Sequence, residues 1–542
     1  MKFKVVAKML VSVFTAVVLA ASLIGIVSFA YLLHFLGNDN LDSAIGKTSM
    51  NIQNPALTCF SAPKVDTGLS NDEEFGAVKT PTASNVLLGA LGEVQKAAFD
   101  ELVPNTASTS LNTPANGGNL VVGSTSAAAS TVFRGIFKTD DLPFAVAGIR
   151  FSSTPDGDLK GLAASQCIAP ALDLWFIGGS TCVQSTTSVL IANANSTAAQ
   201  VELTVWGAKR SSSSKVAKLE DGSLKYGASK TVGVDAHTQT LVNLASGAQD
   251  EDVVAVHLKS NFSPVAATVY THEMDKLTPK GLDFLQSSSL SETVYLPGVK
   301  VSKDPHFRTS LQILAPEIHE QKATVTLKCK KSNDSGTPKT KTVDLVRGEV
   351  QTVETDFLED GIWNIEITGS GGAKSALLAA AKFARSLDDG SQDYAYIPSA
   401  VPAHGLFGVV KTAAARFNPQ LSFAAVGSAE SNTKPAYTVT FFDSAGALIG
   451  SVQIQLDQTS NSFSLDSLAG LLSSSLANAG TKEELIQKIS FVSVQPVDNS
   501  PKVQKIVGNI VYQEEVGLTA QGFSTLEKKS LLYKFTNKAL IR

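Results

Sequence analysis

The chain has 542 residues, of which 17% are charged, and its formal net charge is −4. This length allows several domains of ordinary size. The slightly acidic charge gives no global basic field for binding nucleic acid, so we expect no nucleic-acid partner.

The first predicted element is an N-terminal membrane anchor. Lysines precede the run Met9–Leu36, which holds 28 residues without Asp, Glu, Lys or Arg. As a helix this run would be roughly 42 Å long, which exceeds the roughly 30 Å hydrocarbon core of a bilayer. We expect residues 1–36 to form a cytoplasmic stub and a single-pass transmembrane anchor, with the bulk of the chain extracytoplasmic. Ser28-Phe-Ala30 resembles a cleavage site, so secretion after signal removal is the alternative.

The segment after the anchor is expected to combine a stalk with a degenerate β module, over residues 37–165. Within it, Ser84–Leu102 places apolar residues at spacings that fit one face of a helix, and cap-type residues stand at its start. This pattern predicts a core-facing helix.

An apolar strand phrase then recurs at intervals of about 110 to 130 residues, the size of one β-sandwich domain. The four copies end at Phe151, Tyr270, Phe383 and Tyr512. Three of the loops that follow lead into Lys160-Gly-Leu162, Lys280-Gly-Leu282 and Gln521-Gly-Phe523.

Segments of alternating polarity surround these phrases. In Ala199–Trp206, for example, Val201, Leu203 and Val205 share one face. We therefore expect an all-β fold of tandem Ig-like β-sandwich modules, at residues 166–291, 292–399 and 400–523. A helical insertion, Asp466–Ile486, is predicted inside the last module.

The final predicted segment, residues 524–542, is basic. It contains Lys528, Lys529, Lys534, Lys538 and Arg542. A solvated tail is the simpler interpretation, and contact with an anionic lipid or polymer surface is the alternative.

Four cysteines bear on redox chemistry: Cys59, Cys167, Cys182 and Cys329. In an exported protein they can pair, and four cysteines allow three complete pairings. Cys59 and Cys167 each lie near the start of a module, so this pair is slightly favoured, with Cys182 as a third candidate. Zinc-type binding is not expected, because no CxxC spacing occurs.

Two further sets of side chains are candidate ligand sites. Asp388, Asp389 and Asp393 are clustered carboxylates that suit calcium, although turn chemistry explains them without a metal, and we expect no cofactor. Trp175 is the tryptophan expected to be exposed enough to stack on a sugar.

A family resemblance is visible in Lys160–Cys167, Leu174–Thr181, Val189–Asn193 and Leu277–Asp283. These segments resemble a family of actinobacterial exported proteins that contain a domain of unknown function, DUF5719. The resemblance implies a cell-envelope location and an N-terminal membrane segment. It implies no activity, and no functional residue follows from it.

The expected function is non-enzymatic: a membrane-anchored surface protein that binds or organises envelope components, with a cell-wall glycan or an envelope protein as its partner. No Gly-x-Ser-x-Gly elbow or HExxH helix is present. One alternative is an accessory subunit of envelope polysaccharide assembly that acts through a protein partner. A second alternative is an enzyme acting on wall glycans, since two acids can converge from any part of a chain.

Overall fold

The computed structural model describes most of the chain beyond residue 55. The described ranges are 56–63, 83–103, 109–111, 120–126, 129–137, 144–208, 217–218, 224–225, 228–316, 322–334, 336–346, 348–370, 376–410, 419–426, 435–456, 461–475, 481–497, 505–515 and 517–526. They fall in one compact unit, Gln53–Leu531. The predicted anchor, most of the stalk and the basic residues from 527 onward lie outside them. No helix within the described ranges is long and apolar enough to cross a membrane.

The regular secondary structure of the described residues is nearly all β-strand, and the strands form antiparallel sheets that group into four two-sheet modules. Alternation explains many of the strands: in Ala199–Gly207 the side chains of Val201, Leu203 and Val205 are buried while Glu202 is exposed. Each sheet therefore covers a core with one face.

Module 1 contains two four-stranded sheets, ordered β1-β6-β3-β4 and β5-β2-β7-β8. Its strands are β1 (Ala56–Cys59), β2 (Ala83–Leu91), β3 (Val94–Glu101), β4 (Thr109–Leu111), β5 (Leu120–Thr125), β6 (Thr131–Phe137), β7 (Ala145–Thr154) and β8 (Gly161–Gln166).

The predicted helix at Ser84–Leu102 is wrong, because this segment forms β2 and β3. The strand β2 is covered on both faces, so apolar residues follow one another without alternation: Val86, Leu87 and Leu88 are all buried. Gly92, with φ of +124°, then turns the chain into β3. Because β2 is buried on both faces and a turn follows it, the apolar residues of this segment have the spacing expected for one face of a helix.

Module 2 has the sheets β14-β11-β16-β9 and β15-β10-β17-β18, with a separate hairpin β12-β13. A short 3-10 helix occupies Leu244–Ser246. The strands are β9 (Asp173–Ile177), β10 (Ser185–Asn193), β11 (Ala199–Gly207), β12 (Ala217–Lys218), β13 (Leu224–Lys225), β14 (Ala228–Val234), β15 (Thr238–Asn243), β16 (Val254–Ser260), β17 (Ala266–Asp275) and β18 (Thr278–Leu285).

Module 3 has the sheets β19-β24-β21-β22 and β23-β20-β25-β26. Its strands are β19 (Thr293–Val301), β20 (Phe307–Leu314), β21 (Lys322–Lys331), β22 (Lys339–Val346), β23 (Gln351–Glu354), β24 (Gly361–Ser370), β25 (Leu378–Ser386) and β26 (Gln392–Pro398).

Module 4 has the sheets β30-β29-β32-β27-β35 and β31-β28-β33-β34. The helices α1 (Leu465–Ser475) and α2 (Lys482–Lys488) lie inside it, as the helical insertion predicted, and Thr481 and Glu484 form a capping box at α2. The strands are β27 (Leu406–Val409), β28 (Gln420–Val426), β29 (Ala436–Asp443), β30 (Leu448–Gln455), β31 (Asn461–Ser464), β32 (Ile489–Pro496), β33 (Lys505–Gln513), β34 (Leu518–Gly522) and β35 (Ser524–Thr525).

All four modules share one topology. With the principal strands of a module counted from first to eighth, one sheet has the order first-sixth-third-fourth and the other fifth-second-seventh-eighth. The seventh strand carries the recurring apolar phrase, and it is central in its sheet, as its composition predicted. The eighth strand is the free edge of that sheet within its own module.

The modules are joined into a closed ring by shared apolar cores. Modules 1 and 2 share a cluster that includes Phe60 and Leu190, and modules 2 and 3 share one that includes Trp206 and Leu314. Leu518 of module 4 packs in the core of module 3. The ring closes where modules 4 and 1 share their largest cluster.

Candidate functional site: the buried polar axis

The eighth strands of the four modules meet at the centre of the ring. In spatial order β8 packs against β18, β18 against β26, β26 against β34, and β34 against β8 again. The free edge of each module is therefore covered by the other modules rather than by solvent.

Asp393, on β26, lies at one end of this central bundle and is fully buried. Its Oδ2 accepts backbone N–H bonds from Leu162 of module 1, at 3.0 Å, and from Leu518 of module 4, at 2.8 Å. Its Oδ1 accepts from Leu282 of module 2, at 3.2 Å, and the adjacent N–H of Tyr394 also donates to the carboxyl group. One side chain thus bonds to strands from all four modules.

Three glycines make room for this carboxyl group. A Cβ on Gly161 would lie 2.8 Å from Asp393 Oδ1, and one on Gly281 would lie 2.9 Å from the same atom. A Cβ on Gly517 would overlap the carboxyl group outright. Each glycine directly precedes a residue that donates its N–H to Asp393, and Asp393 holds the same position in the fourth copy. The repeat therefore places three glycines around one aspartate.

This arrangement corrects the fourth copy of the predicted motif. The sequence pattern matched Gln521-Gly-Phe523 to the two Lys-Gly-Leu copies. The structure instead makes Gly517 and Leu518 equivalent to Gly161 and Leu162, because both leucine N–H groups bond to Asp393. Gly522 lies further along the same strand.

A second level of polar contacts surrounds Asp283, which is also fully buried. Asp283 Oδ2 accepts the N–H of Tyr396 at 2.8 Å, and Oδ1 accepts the hydroxyl of Thr519 at 2.7 Å. The N–H of Phe284 donates to the same carboxyl group. Thr519 Oγ1 also accepts the N–H of Ala164 at 3.1 Å, so this level again connects all four modules.

The third level is built on Gln286. Its Nε2 donates to the carbonyl of Ala520 at 2.9 Å, and its Oε1 accepts the N–H of Gly522 at 2.7 Å. Gln166 Nε2 lies 3.5 Å from the carbonyl oxygen of Gly522. Polar side chains in the bundle therefore replace the ladder bonds that the four edge strands would otherwise lack.

An ion pair lies beside the axis, between modules 2 and 3. Lys382 Nζ is 2.6 Å from Glu273 Oε1 and 4.4 Å from the centre of the Tyr394 ring. Burial alone lowers the pKa of the Lys382 ammonium, but Tyr396 and Glu273 outweigh burial and raise the pKa above its usual value. The ammonium therefore stays charged.

The two axial carboxyl groups have raised pKa values. Burial raises the pKa of Asp393 to about 8, against the opposing effect of the N–H groups that donate to it. Burial also raises the pKa of Asp283 well above its usual value, and the nearby carboxyl of Asp393 adds to the rise. Both groups are enclosed by strands, so their proximity and perturbed pKa values mark a structural site rather than a cleft open to substrate.

We expect the free energy of unfolding to fall as the pH rises from 7 to 9. Unfolded aspartates are ionised throughout this range, whereas burial raises the pKa of folded Asp393 to about 8 and that of folded Asp283 well above its usual value. The folded state thus binds more protons, and each proton difference costs about 1.4 kcal/mol per pH unit. Denaturant unfolding at pH 7, 8 and 9 measures the decline.

The matched variant for this measurement is Asp283→Asn. An asparagine keeps an acceptor for Tyr396 and can donate to Thr519 Oγ1, because a hydroxyl both donates and accepts. It removes one titrating group, so we expect a shallower decline with pH. A wild-type stability that is flat from pH 7 to 9, or an unchanged slope in Asp283→Asn, would contradict this assignment.

Trp175 is not the exposed stacking platform that the sequence suggested. Its side chain is only 7% exposed. Its ring lies 3.9 Å from the His257 ring and 5.2 Å from the Trp206 ring, in the cluster between modules 2 and 3. The expectation was wrong because the neighbouring module covers this side chain, and its contribution is to packing.

The three calcium candidates do not converge. Asp393 faces the axis, whereas Asp389 accepts from the Lys160 ammonium and from Ser391. Those two partners hold the pKa of Asp389 well below its usual value, and Asp388 is exposed. The described residues contain no group of three or more His, Cys, Asp or Glu that could hold a metal ion. The structure therefore does not bring Asp388, Asp389 and Asp393 together around one point.

Cys59 and Cys167 form a disulfide, which is the pair that the sequence slightly favoured. The bond connects the end of β1 with the residue after β8, where Thr58 and Ile168 also exchange backbone hydrogen bonds. Cys182 and Cys329 take no part in a disulfide, and Cys182 Sγ lies 3.2 Å from Asp252 Oδ1. Burial raises the pKa of the Cys329 thiol to about 12, so it remains protonated and unreactive.

A groove of about 630 Å³ opens on module 3, lined by residues of β20 and β25, by the end of β23 and by the segment between β19 and β20. On its floor Ser310 lies between Glu354 on one neighbouring strand and Lys382 on the other. Arg308 is exposed at its rim. The groove presents basic and acidic side chains around the small side chain of Ser310. This combination suits a polar ligand.

Asp283, Lys382 and the role of Asp393 were not predicted from the sequence. The available signal was an aspartate within the apolar Gly281–Leu285 and Asp393–Ile397 segments, since a charged residue in a covered strand requires a bonded partner.

Comparison with known proteins gives one family. The model of a family of unknown function, DUF5719, matches residues 121–465. No curated protein matches the chain.

Proposed function

The chain belongs to the DUF5719 family of unknown function, and from this premise we propose that it is a membrane-anchored extracytoplasmic protein of the cell envelope. Its four modules would be Ig-like β-sandwiches that form a rigid, non-enzymatic scaffold. The scaffold would bind or organise envelope components.

Two observations support the extracytoplasmic location. The run Met9–Leu36 is long enough to span a bilayer, and Cys59 and Cys167 are joined by a disulfide. Disulfides persist in oxidising compartments and are rare in the cytosol.

The observation that carries the non-enzymatic proposal is the use of the buried carboxyl groups. Among the acids of the described residues, Asp283 and Asp393 are the two whose pKa is raised by burial, and their oxygens accept hydrogen bonds from all four modules directly or through Thr519. An acid–base catalyst must instead reach its substrate within hydrogen-bond distance. Because these carboxyl groups bond to all four modules, they hold the modules in fixed positions relative to one another. This supports a scaffold of constant shape.

The groove on module 3 supports the binding part of the proposal. Its volume of about 630 Å³ is within the usual range of ligand sites. Arg308 and Glu354 are exposed there and can bond to the hydroxyl, carboxylate or amino groups of a wall component.

The test is sedimentation of the purified full chain, in detergent, with isolated cell wall and with its extracted polysaccharide. We expect the chain to pellet with one of them, and Arg308→Ala to weaken binding about tenfold, as the loss of one charged hydrogen bond predicts. Lys230→Ala, an exposed cation on module 2, is the matched control. Absence of wall and polysaccharide binding, together with protection from protease added to intact cells, would overturn the proposal.

A further inference from the structure

The groove on module 3 forms because short side chains stand among long ones on three neighbouring strands. Ser310 of β20 lies opposite Glu354 of β23 on one side and opposite Lys382 of β25 on the other. Arg308 is two residues before Ser310, so it shares the same face of β20, and it lies opposite Ala384. Ser310 and Ala384 therefore leave a depression between three long charged side chains, and all five residues line the groove.

The lining of the groove limits the chemistry of its ligand. It contains three basic and three acidic residues: Lys303, Asp304, Arg308, Glu354, Asp356 and Lys382. This balance disfavours a polyanion or a polycation, because either would meet like charges as well as opposite ones. Of the described residues that line the groove, Phe307 alone is aromatic, and its ring already packs parallel to Phe383 and beneath the Lys300 ammonium. The groove therefore offers no open aromatic face on which a sugar could stack.

Four of these six charged residues have partners within the protein. Lys382 pairs with Glu273. The other three have partners close by in module 3: Lys303 Nζ donates to the Asp356 carbonyl at 3.0 Å, the Asp356 carboxylate is 4.0 Å from Lys341 Nζ, and Asp304 Oδ1 accepts the His306 N–H at 2.9 Å. The exposed side chains of Arg308 and Glu354 have no hydrogen-bond or ion-pair partner among the described residues. The two charges left for a ligand are therefore one cation and one anion.

From this arrangement we propose that the groove binds a short peptide through its free carboxylate and its free ammonium group. The inference rests on the proposed function, because it names the chemical class of the wall component. Arg308 binds the carboxylate through two parallel hydrogen bonds, and Glu354 accepts hydrogen bonds from the ammonium group. The Ser310 hydroxyl, which has no partner among the described residues, lies between them and can donate to or accept from the peptide group.

The spacing of the two charges sets the length of the ligand. Because Ser310 lies directly opposite Glu354, Arg308 is a diagonal neighbour of Glu354, and such neighbours on antiparallel strands are about 7–8 Å apart. Two residues of an extended chain span roughly 7 Å. A dipeptide therefore matches the distance, whereas a longer peptide would have to fold back for both of its ends to be held.

The experiment is a calorimetric titration of the purified full chain, in detergent, with alanylalanine in its L,L and D,D forms. N-acetyl-alanylalanine lacks the ammonium charge, alanylalanine amide lacks the carboxylate, and glucuronic acid carries a carboxylate on a sugar. We expect the dipeptide to bind in at least one form. Each blocking group should weaken binding about tenfold or more, as the loss of one charged hydrogen bond predicts. Glucuronic acid should bind no better than the acetylated dipeptide.

Two variants assign each end of the dipeptide to its partner. In Arg308→Ala, the dipeptide and its amide should bind equally weakly, while acetylation still weakens binding. In Glu354→Gln, acetylation should have no further effect, while amidation still weakens binding. Lys230→Ala on module 2 and Glu292→Gln on module 3 are the controls, and both should bind every probe as the wild type does. All four side chains are exposed, so the variants should fold normally.

Equal binding of the free and blocked dipeptides, or equal losses in the variants and their controls, would overturn the proposal. Glucuronic acid that binds as well as the dipeptide would also overturn it, because the ligand would then be an acidic sugar. A chain that pellets with the wall but binds no form of the dipeptide would contradict this inference and leave the proposed function intact. A chain that binds the dipeptide but pellets with neither wall nor polysaccharide would contradict the proposed function instead.

Discussion

Replacing Asp393 with alanine is expected to destabilise the whole ring, not module 3 alone. The N–H groups of Leu162, Leu282 and Leu518 would lose their acceptor, and each unsatisfied buried N–H costs about 1–3 kcal/mol. Since the donors belong to the other three modules, we expect one cooperative transition to shift to lower denaturant. Tryptophan fluorescence follows it, because Trp175 and Trp206 lie where modules 2 and 3 meet.

The control is Asp388→Ala, which removes an exposed aspartate from the loop before β26. Surface substitutions of this kind usually change the free energy of unfolding by less than about 0.5 kcal/mol. Asp393→Asn is the closest isostere, but it has only one accepting oxygen. Its NH2 group would face backbone N–H groups that now donate to the second carboxyl oxygen of Asp393. It should therefore also destabilise the protein. If Asp393→Ala unfolded at the same denaturant concentration as Asp388→Ala, the proposed stabilising role of Asp393 would be wrong.

The second large effect is expected from the double variant Cys59→Ala, Cys167→Ala. The disulfide closes a loop with a sequence separation of 108, and a loop of about 100 residues corresponds to about 4.7 kcal/mol in the chain-entropy model. We expect a loss of about 2–5 kcal/mol, the range found for native disulfides. Chemical denaturation of both proteins under oxidising conditions measures it.

Cys182→Ser is the matched control for that variant, because its thiol takes no part in a disulfide and is partly exposed. It should unfold at nearly the wild-type midpoint. Reductant should lower the wild-type stability toward that of the double variant and leave the double variant unchanged. A reductant effect of equal size in both proteins would mean that the effect does not come from Cys59–Cys167.

Local patterns predicted much of the secondary structure. Ala199–Trp206 alternates and forms β11 at Ala199–Gly207, and Asp466–Ile486 overlaps both helices of module 4. The failure at Ser84–Leu102 has a physical cause. A strand buried on both faces does not alternate, so it loses the signal that separates a strand from a helix.

The axis was not predictable in the same way. The Gly-Leu motifs were visible in the sequence, but their spacing does not determine how tandem modules are arranged in space. Their convergence depends on contacts between residues far apart, such as Leu282 with Asp393, 111 positions away, and Asp283 with Thr519, 236 positions away. Trp175 failed for a related reason, because its exposure depends on a neighbouring module.

The position of Leu518 in the ring has a consequence for biosynthesis. Its N–H completes the bonding of Asp393, 125 residues earlier in the chain, and module 4 also covers the core of module 1. During N-to-C synthesis the first three modules therefore remain incomplete until module 4 has been made. Until then Asp393 lacks one of its N–H donors, and the edges that module 4 covers are exposed. A premature stop anywhere before β34 would leave no smaller finished protein, only an open ring exposed to proteases.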